Sequence, residues 1–158
     1  MFKITKEKLL KASVAAIFST ITIGCLALLT FKTPLGLFLA ASFGSSMVLL
    51  YGFPESPFAQ PKNIFFGHFL TALIGVFFVN YVSLPIFMNI ALAVGVGVFF
   101  MIILDAVHPP AGGNPIIVII GGVSYEYLIN PIISGCLIIL LFGIILNKFI
   151  LKRNYPLI

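Results

Sequence analysis

Charge is what this chain has least of. Only 8% of its 158 residues are Asp, Glu, Lys or Arg, four of them acidic, against about 25% charged in a soluble globular domain. With 61% hydrophobic residues and a mean hydropathy of +1.21, it reads as a membrane protein. Strands alternating apolar and polar residues are missing as well, and this argues against a β-barrel. The apolar runs continue unbroken for several turns, so helices are the remaining way to satisfy a backbone within lipid. No stretch is left over for a soluble domain, and residues 1–158 read as one integral membrane domain.

The chain has no Trp, so any interfacial aromatic belt must come from Tyr. Tyr51, Tyr81, Tyr125, Tyr127 and Tyr155 all fall near the ends of apolar runs. Two cysteines, Cys25 and Cys136, lie inside such runs and read as packing residues. Ile23-Gly24-Cys25 faintly resembles a lipoprotein cleavage site, but Thr22 stands where Leu is usual and further spans follow, so an uncleaved first helix is expected.

Breaks at Pro, Gly and polar clusters predict helices over 12–31, 35–53, 64–82, 86–107, 115–129 and 131–150. The fold class expected is an all-α polytopic bundle of about six helices. The fifth, at roughly 22 Å, is too short for a hydrocarbon core about 30 Å thick, so its start is recessed or the segment re-enters. Six crossings put Lys3, Lys6, Lys8, Lys11, Lys62, Lys148, Lys152 and Arg153 on one side and leave Lys32 alone on the other. The positive-inside rule then places both termini in the cytoplasm, in a bacterial inner membrane. The net charge of +5 is therefore a topology signal and not a nucleic-acid surface. Small residues four apart, at Gly36, Ala40 and Gly44, at Gly67, Thr71 and Gly75, and at Ala91 and Gly95, place spans two to four at the bundle centre and the first and last toward lipid. A homodimer is expected to bury what one small unit cannot.

Two breaks carry the chemistry. In "DAVHPPAGGNPIIVII", Pro109 and Pro110 stop a helix, Gly112 and Gly113 turn the chain, and Asn114-Pro115 restarts it with Asn114 as N-cap. Free N–H groups and the positive end of the helix dipole there suit a small anion. Asp105, three residues before His108 on the same helical face, is expected to favour a protonated ring. In "FPESPFAQPKN", Pro54 ends one helix and Pro61 starts another on the same side, with Lys62 and Asn63 at the mouth. His68, inside a span, must face a partner or a cavity. The likeness of "QPKNIFFGH" to "GNPIIVIIGG" hints at a duplicated hairpin. A metal site from Asp105, His108 and His68 has poor spacing, and Ser45 and Ser46 read as interhelical hydrogen-bonding residues. No nucleophile or nucleotide-binding loop stands out, so no enzyme activity, metal or cofactor is expected.

The stretches "HPPAGGNPIIVIIGG" and "PESPFAQPKNIFFGH" resemble the HPP family of integral membrane proteins, named after its His-Pro-Pro motif. His108, Pro109 and Pro110 match that motif, and Asn114 and Pro115 complete it. The resemblance implies a transporter or channel for a small anion, nitrite first, because plastid and cyanobacterial members are associated with nitrite transport. The family is usually described with four to five spans, fewer than the six read here. A non-transporting scaffold or sensor is the competing class.

Overall fold

The computed structural model describes residues 4–157, all helix and connecting chain, with no strand among them. Lys3, one of the lysines used above for orientation, lies outside the described residues. Helix α1 covers Lys6–Lys32, its first turn closed by Thr5 Oγ1 accepting from the Lys8 N–H. Pro34 keeps Thr33 extended and ends the helix.

The next segment departs from expectation. Instead of one helix over 35–53, residues 34–40 hold no helix, and α2 begins only at Ala41, running to Met47 before widening into a π-helical turn over Val48–Gly52. Gly36, at φ +105°, takes a conformation closed to most side chains, so the small-residue stripe starting there is not helical. Irregular backbone among apolar helices must find partners elsewhere. Thr30 Oγ1 accepts the Phe38 and Leu39 N–H groups at 3.0 and 3.1 Å. At the π turn, the Asn147 amide donates to Leu50 O at 2.9 Å.

Helix α3, Pro61–Tyr81, starts with a proline whose missing N–H costs nothing there. Helix α4, Ile86–Ile103, stops four residues earlier than the sequence suggested. Asp105 takes the left-handed conformation at φ +49°, while the N–H groups of Asp105 and Ala106 close back on Ile102 O and Met101 O. This is a Schellman ending with Asp where Gly is usual. A 3-10 helix follows over Pro109–Gly113, then α5, Asn114–Gly121, ended by left-handed Gly122 and eight residues short of the expected 129. Helix α6 lies within Leu128–Ile150, but Asn130 is extended at φ −122° and ψ 115°, so the continuous helix starts at Pro131 as expected, regular over Ser134–Ile144 and wider beyond.

Helices α1, α3, α4 and α6 are long and apolar enough to cross a membrane. The two short helices belong to segments that also run the full length. At one end of the bundle, Asn63 Nδ2 donates to Val107 O at 3.0 Å and Arg153 reaches Tyr51 O. At the other end, Tyr125 meets Tyr81 hydroxyl to hydroxyl and Asn130 reaches Leu35 O. The chain from 107 to 125 therefore runs along all of α3, first as irregular and 3-10 chain, then as α5. The chain from 35 to 51 likewise runs along α6, extended first and helical second. Two interrupted segments thus lie within the bundle.

As expected, α3 is the most enclosed of the long helices and α1 faces outward. The last helix is not peripheral, however, and is more buried than α4. Glycines explain this: the Phe43 ring packs on Gly135, and a Cβ at Gly143 would meet Leu50 Cδ1 at 2.6 Å, so α2 lies against the α6 backbone. The tail after α6 folds back, with the buried Tyr155 hydroxyl donating to Ala59 O at 2.9 Å. Burial, followed by Tyr51 nearby, raises that phenol's pKa, so it remains a neutral donor.

Candidate polar centre

The interrupted segments meet on α3, and the meeting point is polar. His68, Ser46, His108 and Asn114 are each 0% exposed. An imidazole buried among membrane helices must have both ring nitrogens served. Here one hydroxyl serves two rings: Ser46 Oγ lies 3.0 Å from His68 Nε2 and 2.8 Å from His108 Nε2. The rings stand edge to face, centroids 4.9 Å apart, and Phe43 packs edge-on against His68.

The partners at the two ends assign the protons. Phe58 O, 2.7 Å from His108 Nδ1, can only accept, so His108 carries its proton on Nδ1 and turns a lone pair on Nε2 toward Ser46. Asn114 Nδ2 lies 3.1 Å from His68 Nδ1, His68 O and Thr71 Oγ1. The His68 carbonyl fixes the amide orientation, so His68 Nδ1 accepts and Nε2 bears the proton. The chain then reads in one direction: Asn114 to His68, His68 to Ser46, Ser46 to His108, and His108 to Phe58 O. Every ring nitrogen is satisfied with both imidazoles neutral. Two groups flank this line: Ser42 Oγ lies 3.4 Å from His68 Nδ1, and Ser42 O lies 3.2 Å from Ser46 Oγ. No charged side chain is buried among the described residues.

Close packing keeps the rings in place. A Cβ on Gly67 would lie 2.8 Å from His108 Cβ and 3.0 Å from Ala106 O. One on Gly75 would lie 2.9 Å from Val118 Cβ and 3.0 Å from Pro115 Cα. Helix α5 can therefore begin deep beside α3. Asn114 contacts residues seven and ten positions beyond Pro61, roughly 10 to 15 Å into α3 at 1.5 Å per residue. The recessed start expected from the sequence is the observed one.

Other expectations are corrected. Asp105 and His108 do not share a helical face, because α4 has already ended. Asp105 is exposed at the left-handed turn and His108 is buried, hydrogen-bonded to Ser46 and Phe58. Asn114 is not an N-cap: its backbone is helical, Gly113 precedes the helix without a side-chain cap, and the amide points to His68 and Thr71. Asn114 Oδ1 is buried without a partner. Gly112 and Gly113 extend the 3-10 turn without close neighbours at their missing Cβ positions, Pro109 is exposed, and Pro110 is half-buried.

Lys62 and Asn63 remain outside the centre. Lys62 is exposed on the rim of a cavity of about 380 Å³ shared with Phe66, Phe69 and Leu104, and Asn63 ties α3 to the loop at Val107. Among the described residues, no three His, Cys, Asp or Glu side chains stand close enough to share an ion. The sequence reading passed over Ser42 and Phe58, and took Thr71 only for a small packing residue. It took Ser46 for an interhelical hydrogen-bonding residue, and Ser46 does bond across helices, to the two rings that matter most.

No solved structure matches this chain. Two transmembrane proteins of Dictyostelium discoideum do, one 36% identical over 126 residues and the other 35% identical over 127. These alignments cover 75% and 76% of this chain but 44% and 41% of the relatives, so the chain spans less than half the length of the curated relatives it matches. The model of the HPP transmembrane region matches residues 4–156, nearly the whole chain, and takes in both interrupted segments, with the His-Pro-Pro turn in the second. The protein belongs to the HPP family of transmembrane proteins.

Proposed function

We propose that this membrane protein transports a small inorganic anion, with nitrite the leading candidate. The observation that carries the reading is the buried polar chain where two interrupted segments cross. Polar groups at that depth are costly in a membrane helix bundle and mark functional positions, and discontinuous helices are the usual way membrane transporters build a central site. A scaffold would have no need to bury His108 and Asn114, at either end of the His-Pro-Pro turn, against α2 and α3. Nitrite as the specific substrate rests on the family association.

The centre is closed at this point of the cycle, since all four of its polar side chains are fully buried. Passage then requires one interrupted segment to move against the other, which favours a carrier over an open pore. Lys62, on the more basic side, draws anions toward the mouth, and the positive-inside rule makes that side cytoplasmic. The test is a flux panel of nitrite, nitrate, chloride and formate on purified protein in liposomes. Nitrite entry above that of empty liposomes, and reduced in His108→Gln, is the expected result. Rates equal to empty liposomes for every anion would overturn the reading.

A further inference from the structure

We propose that His68, Ser46 and His108 form a proton-transfer chain, so that the anion crosses the centre together with a proton. This rests on the transport reading above and names its coupling ion.

The geometry meets the three requirements of such a chain. The donors and acceptors are continuous, from Asn114 Nδ2 through His68, Ser46 and His108 to Phe58 O, at 3.1, 3.0, 2.8 and 2.7 Å. Each inner member both donates and accepts, so a proton can be relayed without any group leaving its place. The line also runs between two environments: the Asn114 end is fully buried, whereas the other end, Phe58 O, belongs to a partly exposed residue of the 3-10 turn Pro57–Ala59 before α3.

The transfer balances in protons. One proton, delivered by the protonated acid at Asn114, binds His68 Nδ1, and the ring's Nε2 proton passes to Ser46 Oγ. The Ser46 hydroxyl proton passes to His108 Nε2, and His108 releases its Nδ1 proton to a water molecule reaching the Phe58 end from solvent. One proton enters and one leaves, no other bond changes, and both imidazoles have exchanged tautomers. The Ser46 hydroxyl then points back at His68. In the reversed state Ser42 Oγ, 3.4 Å from His68 Nδ1, can accept the new N–H. Asn114 and Phe58 favour the original polarity, and for net transfer the rings return to it by exchanging protons with water when the interrupted segments move apart, each ring losing one proton and gaining one.

The surroundings argue that the proton and the anion travel together. The groups facing the rings are Ser42, Ser46 and Phe43 from α2, Thr71 and Gly67 from α3, Asn114 from α5, and Phe58 O from the loop. None is charged, so a bare anion meets no counter-charge there. The partnerless Asn114 Oδ1 is an acceptor, which a protonated acid can use and a bare anion cannot.

The experiment uses wild-type protein in liposomes loaded with a pH-sensitive dye, the membrane potential clamped with potassium and valinomycin, and sodium nitrite as the probe. Nitrite entry and proton entry are followed together, with empty liposomes subtracted. The expected result is equal entry of nitrite and protons in the wild type, and loss of proton entry per nitrite moved in Ser46→Ala. Nitrite entry without protons in the wild type overturns the relay and leaves the transport reading standing. An unchanged ratio in Ser46→Ala also overturns the relay. No protein-dependent nitrite entry removes the transport reading for nitrite, and this coupling with it. Because Ser46→Ala could fail to fold, nitrogen NMR of histidine-labelled wild type in lipid provides a second check. One neutral ring protonated at Nδ1 and the other at Nε2 is expected at neutral pH, and matching tautomers would overturn the proposal.

Discussion

Gly67 holds His108 by having no side chain: a methyl group there would sit 2.8 Å from the His108 Cβ and 3.0 Å from the Ala106 carbonyl. Neither neighbour can yield easily, since one is the root of a buried ring and the other is backbone. Gly67→Ala should therefore destabilise the fold by about 1–3 kcal/mol, as overpacked sites do. Gly95→Ala, on α4 with nothing within 4 Å, is the control and should be neutral or slightly stabilising, because Ala favours helix. Thermal unfolding in detergent compares the two. Equal melting would show that α3 and the His-Pro-Pro turn are not in close contact.

Asp105 and His108 should prove uncoupled. The carboxylate is exposed at the end of α4, so Asp105→Asn should leave the pH profile of anion flux where the wild type has it. Asp105→Gly should add a few tenths to about 1 kcal/mol of stability by relieving the left-handed conformation. A shift of the flux profile in Asp105→Asn would reinstate an ion pair between the two.

Removing the Asn114 amide leaves His68 Nδ1, His68 O and Thr71 Oγ1 short of a donor in a fully buried place. Asn114→Ala should cost about 1–3 kcal/mol, the usual penalty of orphaning buried polar groups. It should also weaken nitrite affinity, read as a raised half-saturation concentration in liposome flux. Wild-type stability and affinity together would remove Asn114 from the centre.

The two ends of the bundle can be told apart by labelling. Single cysteines at Glu55 and Asn154, in a background with Cys25 and Cys136 replaced, should react from one side of the membrane. Cysteines at Ser83 and Ser124 should react from the other. All four positions are exposed. Labelling of Ser83 and Ser124 from opposite sides would show that the segment containing α5 does not cross.

Much of this architecture was legible in the apolar runs, because a lipid-crossing helix must be long, continuous and uncharged. The breaks at Pro34, Pro54, Pro85 and Pro109 were legible for the same reason, since proline cannot continue a helix. What hid the shape of the second segment was that its extended half is stabilised from outside, by Thr30 on α1, which no local pattern announces. The early end of α4 was hidden by an Asp in a glycine's place. The end of α5 at Gly121-Gly122 was missed, the helix having been read on to 129, although a glycine in the left-handed conformation is an ordinary helix stop. His68 and His108 were found as lone titratable rings. Their connection was not, because Ser46 stands 22 residues from one and 62 from the other, and only the fold brings the hydroxyl between them.

The uncharged interior has an electrical consequence. A membrane potential does work of roughly 2.3 kcal/mol per 100 mV on each elementary charge carried across it. Among the described residues, the buried part of this bundle holds no fixed charge for that field to push. Opening and closing of the centre should therefore produce no gating current, and hyperpolarising the membrane should neither lock nor release it. A cell could swing its resting potential through its whole range while this protein answered only to the concentrations on either side.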